Sequence, residues 1–369
     1  MLVDSGRSTL VFDCGHYKKA RPISWERLVR EAAFASPIDS IAISHIHYDH
    51  YSGFLRPNPY LRDVEQVVLG RMPEIVAPEG PKLRLELLAR MLSFDPAATM
   101  NHGPPQVDLV RRIKESAPNA VPNPVSAGET FRSAGTDWRV LWPPSGIEPN
   151  QQFMSTVLAA IKAYDEAAKK HTWLKDRLAK TRNSETFAKL IEPHEESQDP
   201  PAKLDDDTAE GSPREQKASE ESSVDDLLKD AKDKLSKAAN FLSLIVEQRD
   251  DPSILLTGDP LETATRIAFK GMDRNYVVAL TPHHGGKDYV PGAVSSRSIR
   301  SGVWISSGEG DHRSHISDEY NKVGGIHLRT DEVGDVSVHV RDGVPASIRT
   351  GIDRYPRRFI RQLLGEAWF

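Results

Sequence analysis

Short apolar β patterns alternate with amphipathic helical patterns along most of the 369-residue chain. An amphipathic helix buries its apolar face against a sheet or another helix. This alternation is therefore typical of an α/β fold in which helices cover sheets. The β patterns lie at residues 10–12, 41–43, 66–69, 242–246, 254–256, 276–280, 303–305 and 336–340. The helical patterns lie at residues 25–35, 82–92, 107–116, 261–269 and 317–323.

An acidic segment at residues 193–226 interrupts this pattern. It contains twelve acidic and three basic residues and almost no bulky apolar side chain, so it cannot bury enough surface to offset the cost of ordering its backbone. Apolar residues recur at helical spacing before it, at 157–178, and after it, at 227–238. The sequence therefore predicts an inserted helical hairpin with a disordered acidic tip.

The hairpin divides the chain into parts with different expected roles. It spans residues 151–239 and separates a first half of the main domain, residues 1–150, from a second half, residues 240–345. Residues 346–369 form a C-terminal segment.

The charge and composition limit the classes of function. The acidic segment carries more negative charge than the whole chain, whose net charge is −5, so the remainder is mildly basic. A mildly basic domain is compatible with a polyanionic substrate, but it lacks the strong basic bias typical of nucleic-acid-binding domains. The chain has neither an apolar run of about 18 residues nor a basic leader before an apolar run, so we expect a soluble, cytoplasmic protein with no membrane partner.

Metal ligands in this chain must be histidines and carboxylates. The single cysteine, Cys14, can form neither an internal disulfide nor a thiolate zinc cluster. The run that follows the β pattern at 41–43 is Ser-His-Ile-His-Tyr-Asp-His, with His45, His47, Asp49 and His50 as ligand-type residues. Side chains two positions apart in extended backbone face the same way, so His45 and His47 can bind one ion. Asp49 and His50, which lie past a turn, can bind a second ion. Such ligands suit zinc, manganese or iron.

Several motifs together resemble a known family. The run HIHYDH at residues 45–50 matches the HxHxDH signature of the metallo-β-lactamase superfamily, and LVFDCG from residue 10 resembles its early strand and turn. The run ILLTGD, which ends at Asp259, and the run LTPHHGG from residue 280 resemble its later ligand strands. The second half resembles the hydrolase domain of ComEC-type DNA-uptake proteins, also through SSG at 306–308, His315 and RTD at 329–331. The resemblance covers about residues 8–60 and 240–340.

The resemblance implies a four-layer αββα sandwich, the metallo-β-lactamase fold, that binds two divalent ions, zinc or manganese. Asp49 would also act in catalysis by orienting a metal-activated water, which removes the need for a protein nucleophile. The metal ligands that the resemblance implies are His45, His47, Asp49, His50, Asp259 and His284.

Further residues are candidates for the reaction or for substrate binding. His283 would line the cleft as a catalytic proton donor or phosphate contact, although a supporting hydrogen-bond role for a ligand fits it equally. His315 would hold the leaving group or a scissile phosphate, or else belong to a surface turn that has neither role. His312, Arg313 and Lys18 would contact the substrate, or else belong to a solvated surface.

One family ligand has no obvious counterpart. Many members of the superfamily carry a further histidine between the first signature and the bridging aspartate. The candidates are His102 and His194 in loops and His171 on a helix, and all three are expected on the surface. This leaves the full occupancy of the first metal position open.

Three functions compete at this point. The first is a phosphodiesterase or nuclease with a nucleic acid or nucleotide phosphodiester as substrate. The second keeps the metals and hydrolyses a carboxylic ester, lactone or thioester. The third is a metal-bearing regulatory module that recruits a protein partner through the acidic segment.

Overall fold

The computed structural model describes residues 1–15, 29–30, 33, 36–55, 58–76, 78–94, 113–148, 152–184, 221–249, 253–308, 315–341 and 344–350. Strands and helices are numbered below in chain order.

Two large sheets form the centre of the fold. The first has five strands, in spatial order β1 (Leu2–Asp4), β2 (Thr9–Phe12), β3 (Ile38–Ile43), β4 (Gln66–Gly70) and β6 (Val121–Val125). The second has seven strands, in spatial order β14 (Ile326–Arg329), β13 (Ile299–Ser306), β12 (Arg274–Leu280), β11 (Ile254–Thr257), β10 (Ile245–Gln248), β8 (Thr136–Trp142) and β7 (Thr130–Ser133). Strands β2, β3, β4 and β6 are parallel to one another, and so are β11 to β14.

Two short pairs complete the β structure. They are β5 (Glu74–Ile75) with β9 (Gly146–Ile147), and β15 (Val336–Arg341) with β16 (Val344–Thr350). The helices are α1 (Tyr48–Tyr51), α2 (Gly80–Ser93), α3 (Gln152–Lys170), α4 (Thr172–Arg182), α5 (Glu221–Phe241), α6 (Glu262–Ala268), α7 (Gly292–Ser295), α8 (Glu319–Lys322) and α9 (Thr330–Val333).

Three apolar clusters show how these elements are layered. Between the two sheets, Phe12 and Val68 of the first pack with Trp138 and Leu256 of the second. The outer face of the first sheet is covered by α1 and neighbouring segments, with a cluster that includes Val11, Ile41, Val67, Tyr51, Phe54 and Ile113. The outer face of the second sheet is covered by helices, with a cluster that includes Trp142, Leu255, Tyr276, Leu88, Tyr164 and Leu235. The layers therefore run helix, sheet, sheet, helix, and the expected α/β class is confirmed.

The helices on either side of the acidic segment pack on each other and on the second sheet. Phe153 of α3 stacks on Phe241 of α5 with ring centroids 3.9 Å apart, and Trp142 of β8 meets the same ring at 5.0 Å. The described parts of α3 and α5 thus share one apolar cluster with the sheet. Their status as an insertion, and the domain boundaries, stay predictions.

The acidic segment differs from its prediction at one end. Helix α5 begins at Glu221, so the part of residues 193–226 from Glu221 onwards is helical rather than disordered. Residues 193–220 lie outside the described residues. None of the helices in the described ranges is long and apolar enough to cross a membrane.

Candidate metal centre

The candidate ligands follow the carboxyl ends of parallel strands in both sheets. His45, His47, Asp49 and His50 follow β3 of the first sheet. Asp259 follows β11 and His284 follows β12 of the second sheet. The chain between β3 and α1 is tied directly to the second sheet, because the backbone N–H of Leu244 donates to the carbonyl of Ser44 at 2.8 Å.

The six side chains meet in one cluster. The ligand atoms of His45, His50 and Asp259 lie within 4.8 Å of one another, and so do those of Asp49, His50 and His284. Asp259 Oδ2 is 3.3 Å from both His50 Nε2 and His284 Nε2. Asp259 therefore lies between His50 and His284, two predicted ligands that follow different strands.

His45 and His47 face each other at one side of this cluster. His45 Nε2 lies 2.7 Å from His47 Nδ1, as alternate residues of extended backbone can do. The other ring nitrogen of His47, Nε2, is buried and forms no hydrogen bond with the described residues.

Asp49 completes the opposite side. Its Oδ2 is 3.7 Å from His284 Nε2 and 3.9 Å from His50 Nε2, and 32% of its side chain is exposed. The Asp259 side chain is only 7% exposed. The cluster therefore has a buried carboxylate at its centre and a second carboxylate that reaches solvent.

Hydrogen bonds to the outer ring nitrogens orient three of the histidines. Asp13 Oδ2 lies 2.9 Å from His50 Nδ1, and Asp13 Oδ1 accepts a bond from Ser44 N at 2.7 Å. Ser44 Oγ lies 3.0 Å from His45 Nδ1, and Ser307 Oγ lies 2.6 Å from His284 Nδ1. Such partners fix the ring orientation and leave Nε2 facing the cluster, as is usual around protein metal sites.

Ser243 joins the two halves of the cluster. Its Oγ accepts a hydrogen bond from the backbone N–H of Asp259 at 2.8 Å and lies 3.3 Å from His45 Nδ1. Gly258 lies against both serines, because a Cβ at this position would be 2.3 Å from Ser243 Oγ and from Ser44 Oγ. The glycine before Asp259 is thus required by a close approach of two strand ends.

The carboxylates of this cluster raise the pKa values of two of the histidines. Burial would lower the pKa of His50, but the carboxylates of Asp259 and Asp13 raise it well above its ordinary value. Burial opposes the charge of His284 as well, but Asp259 and Asp49 raise its pKa to about 10. Burial raises the pKa of Asp259, but the charges of His284 and His50 hold it well below its ordinary value. A cluster of three carboxylates that favours two protonated imidazoles is a site suited to replace those protons with cations.

The other two histidines have lowered pKa values. Burial and the neighbouring His50 lower the pKa of His45 well below its ordinary value, and burial lowers the pKa of His47 to about 4. Neutral imidazole is the form that binds metal ions, and imidazole with carboxylate suits zinc, manganese or iron. The residues present therefore fit a metal centre.

Cys14 is not part of this ligand set. The thiol is buried, and burial raises its pKa to about 12. It is one residue from Gly15, where a Cβ would be 1.9 Å from the carbonyl oxygen of Asp49. The backbone N–H of Cys14 donates to the carbonyl of His50 at 2.7 Å. The Asp13-Cys14-Gly15 turn thus supports the backbone of two candidate ligands without offering one.

Replacing Gly15 by alanine should disturb both the fold and the ligand cluster. The new methyl group would overlap the Asp49 carbonyl and displace the turn, which we expect to cost about 1–3 kcal/mol of unfolding free energy. Urea unfolding and the metal content after loading with Zn²⁺ would measure this. Gly292→Ala is the matched control, because a Cβ there meets nothing within 4 Å. Equal stability and metal content in the two variants would contradict the expectation.

The other predicted site residues have different positions. His283 stacks on Tyr289 with ring centroids 3.7 Å apart and planes 3° apart, and burial lowers its pKa. His315 is exposed and precedes Ile316, whose backbone forms a β-bridge with Gly286. It therefore lies beside the turn that carries His284. Residues Lys18, His312 and Arg313 lie outside the described residues.

Of the three candidates for a further metal-binding histidine, only His171 lies in the described residues, and it is not a ligand. His171 lies between α3 and α4, at the N-cap of α4, and belongs to neither ligand group. It is thus at a helix junction, which corrects the expectation that it lies on one helix. His102 and His194 lie outside the described residues.

Sequence reasoning missed a hydrogen-bonded chain beside the cluster. His327 Nε2 lies 2.8 Å from Ser306 Oγ, which lies 2.8 Å from Thr281 Oγ1. These residues belong to β14, β13 and the end of β12. Only strand pairing brings them together, so no local pattern could have identified them.

His327 should make stability depend on pH. Burial and the charge of Arg329 lower its pKa to about 4, against the opposite influence of Asp318 and Asp331. An unfolded histidine has a pKa of about 6.5, so the unfolded chain binds more protons and stability falls as the pH drops from about 6.5 towards about 4. We expect the wild type to lose about 2 kcal/mol more unfolding free energy than His327→Gln between about pH 7.5 and about pH 5.

Urea unfolding at the two pH values, in a chelator that keeps metal absent, measures this difference. Histidines at the ligand cluster are common to both proteins, so their contributions cancel. Parallel pH dependences in the two proteins would show that His327 titrates normally.

Comparison with known proteins identifies the first part of the chain. Residues 1–144 match the family model of the metallo-beta-lactamase superfamily. The match includes the run from His45 to His50 and ends before Asp259, so residues 1–144 are similar to a domain of this superfamily. A search of the curated proteins found no match. The family match and the buried cluster of histidine and aspartate indicate a metal-dependent hydrolase.

Proposed function

We propose that this protein hydrolyses phosphodiesters with two divalent metal ions. The observation that carries the proposal is the pair of overlapping ligand groups, which share His50 and are held within 4.8 Å. Two such groups side by side are what a two-metal hydrolase requires. The metal-dependent class rests on this cluster and the superfamily match, and the phosphodiester rests on the motifs of the second half and on the charge of the chain.

The ligands divide between two positions. His45 and His47 would hold one ion, and Asp49, His50 and His284 the other, with Asp259 between them. When bound, the ions supply a water whose pKa is lowered towards neutrality and positive charge for the attacked group and the leaving oxygen. The chain itself then needs no nucleophilic side chain.

The protein side chains position the reactants. Asp49 is the partly exposed carboxylate of the cluster, and an oxygen of this carboxylate can accept a hydrogen bond from the attacking water and fix its direction. Ser307 and Asp13 keep His284 and His50 turned inward, so that the ligand geometry is in place before substrate binds. His283 is neutral in the resting protein because burial lowers its pKa, and it would have to take up a proton before it could protonate a leaving oxygen.

Three observations support a phosphodiester. The second half of the sequence resembles the hydrolase domain of ComEC-type proteins, and the chain outside the acidic segment is mildly basic. His315 lies beside the His284 turn, where a phosphate bound at the cluster would extend. His312, Arg313 and Lys18 are proposed as further phosphate contacts on sequence grounds.

The test begins with the metal content of the purified protein by mass spectrometry. The Zn²⁺ and Mn²⁺ forms are then incubated with bis-p-nitrophenyl phosphate, single- and double-stranded DNA, RNA, a lactone and a thioester. We expect metal-dependent release of p-nitrophenol and cleavage of at least one nucleic acid. Hydrolysis of only the lactone or thioester would show that the substrate is an acyl compound and not a phosphodiester. Absence of bound metal would contradict the proposal of a metal-dependent hydrolase.

A deletion separates the enzyme from a recruiting module. Removing residues 193–220 leaves all of α5 in place, because that helix begins at Glu221. We expect the shortened protein to turn over phosphodiesters at the wild-type rate. A loss of turnover with retained metal would assign the acidic segment to the reaction instead.

A further inference from the structure

The turn that carries His284 has an unfavourable backbone conformation. Three successive residues have positive φ: His283 at 51°, His284 at 56° and Gly285 at 82°. Only the glycine adopts this region without strain, so two histidines here persist only where the surroundings hold them. The direction of the His284 side chain follows from this backbone.

Contacts from three directions hold the turn. The backbone N–H of His283 donates to the carbonyl of Gly258 at 3.0 Å, and the N–H of Ser317 donates to the carbonyl of Gly285 at 2.8 Å. From the third direction Ser306 lies against Gly285, since a Cβ there would be 2.4 Å from Ser306 Oγ. The position of the Ser306 hydroxyl therefore limits where the turn can sit.

The hydrogen bonds of Ser306 have a defined direction. The hydroxyl of Thr281 donates to the carbonyl of Ile305 at 3.2 Å, so at the 2.8 Å contact between the two hydroxyls Ser306 is the donor. The Ser306 oxygen then accepts from the Nε2–H of His327 at 2.8 Å. His327 is thus the first donor of a chain that ends at the strand carrying the turn.

His327 is itself fixed by packing. The ring of Tyr320, which is fully buried, lies 5.4 Å from the imidazole, and Tyr320 packs in turn on Trp304 at 5.3 Å. The residue that follows Ser306 is Ser307, whose Oγ contacts His284 Nδ1 at 2.6 Å. Anything that moves Ser306 consequently moves both the turn and the hydroxyl that orients the His284 ring.

We propose that His327 is a positioning residue for the metal position of Asp49, His50 and His284, acting through Ser306 and Thr281. This inference rests on the proposed metal centre. It adds a histidine of β14 that contacts none of the ligands but determines how the His284 ring is aimed. The side chain acts as a hydrogen-bond donor, so glutamine, which carries an N–H donor at similar reach, should replace it and leucine should not.

The experiment measures Co²⁺ binding by chelator competition and by the visible spectrum of the bound ion. His284→Ala identifies the binding step that depends on the turn. We expect His327→Leu and Ser306→Ala to weaken that same step by about tenfold and to alter its spectrum, as loss of outer hydrogen bonds does at other metal sites. His327→Gln should bind as the wild type does. His339→Leu, an exposed histidine of β15, is the matched control and should bind normally.

The outcomes separate this inference from the proposed function. If wild type binds Co²⁺ and hydrolyses phosphodiesters while both His327→Leu and Ser306→Ala bind equally well, the positioning role is wrong and the enzyme stands. A lower melting temperature of His327→Leu and Ser306→Ala with unchanged Co²⁺ binding also overturns the positioning role. So does equal weakening of Co²⁺ binding in His327→Gln and His327→Leu. If His327→Leu does not fold, Ser306→Ala decides, because it removes only one hydroxyl. Wild-type protein without bound Co²⁺ overturns both proposals.

Discussion

Replacing Asp259 by asparagine should reduce hydrolysis by about 10³-fold, because the variant loses the carboxylate that lies between the two ligand groups. Asp259 is 3.3 Å from both His50 and His284 and is nearly fully buried. The amide keeps the shape of the side chain but brings no charge to balance a cation, so metal should leave both positions. Steady-state turnover of bis-p-nitrophenyl phosphate and the metal content per chain measure the two effects.

A folded variant is needed to interpret this loss. Circular dichroism of the metal-free proteins should show the same fold for Asp259→Asn and wild type, since Ser243 still accepts the backbone N–H of residue 259. Thermal unfolding should be shifted to a lower temperature, because the variant lacks the ion pairs with His50 and His284. His339→Ala, a change at an exposed residue of β15 away from the cluster, serves as the control. Full turnover by Asp259→Asn would refute the two-metal proposal.

Replacing Asp49 by alanine should have the next largest effect, with turnover lowered by about 10²- to 10³-fold. Asp49 belongs to only one ligand group, and the other group, which contains His45, His50 and Asp259, remains complete. We therefore expect this variant to lose part of its metal and keep the rest, in contrast to Asp259→Asn. Metal analysis and turnover on the same sample distinguish the two patterns.

The control for Asp49→Ala is Asp63→Ala, an exposed carboxylate away from the ligand groups. The fold should be unaffected in both variants, because Asp49 reaches solvent and lies in the first turn of the short helix α1. His47→Ala should also lower turnover without unfolding the chain. Hydrolysis at the wild-type rate by purified Asp49→Ala would be incompatible with a role in holding metal or water.

The local part of the site could be predicted from the sequence because its residues are adjacent in the chain. His45, His47, Asp49 and His50 follow one apolar strand, and alternate side chains of an extended segment face the same way whatever the rest of the fold does. Asp259 could be assigned only through the family resemblance. Its distance from His50 depends on the packing of two sheets, which no local pattern encodes.

The supporting hydrogen bonds were harder to foresee. Ser44, Ser243 and Ser307 are short polar residues of a kind that occurs in any loop, and their role follows from which strand ends lie side by side. His327 is a clearer example, since it reads in the sequence as one polar residue between two apolar ones. Its partner Ser306 is on another strand, and the pairing of β13 with β14 fixes the contact.

The strands that the sequence identified are those with continuous apolar runs, such as residues 254–256 and 276–280. Strand β6 was missed because it carries Pro122 and Pro124 and its apolar residues are few. Prolines are tolerated there because β6 lies at the edge of its sheet. Strands β7 and β8 were missed although Trp138, Val140 and Trp142 show the alternation of a half-buried strand.

One strand was placed too early. The apolar run at 242–246 suggested a strand from its start, but α5 continues to Phe241 and β10 begins only at Ile245. The intervening residues form the turn that carries Ser243. An apolar run at the junction of a helix and a strand fits both, so periodicity alone cannot divide it.

The ligands follow strands of both sheets, so a bound ion would affect how the protein unfolds. An ion held by His45 and Asp259 is a crosslink between the five-stranded and the seven-stranded layer, and it favours the assembled state by mass action wherever the free ion exceeds its dissociation constant. The layers cannot slide or separate without releasing it. Ion retention is therefore a direct reporter of whether the two sheets are packed on each other.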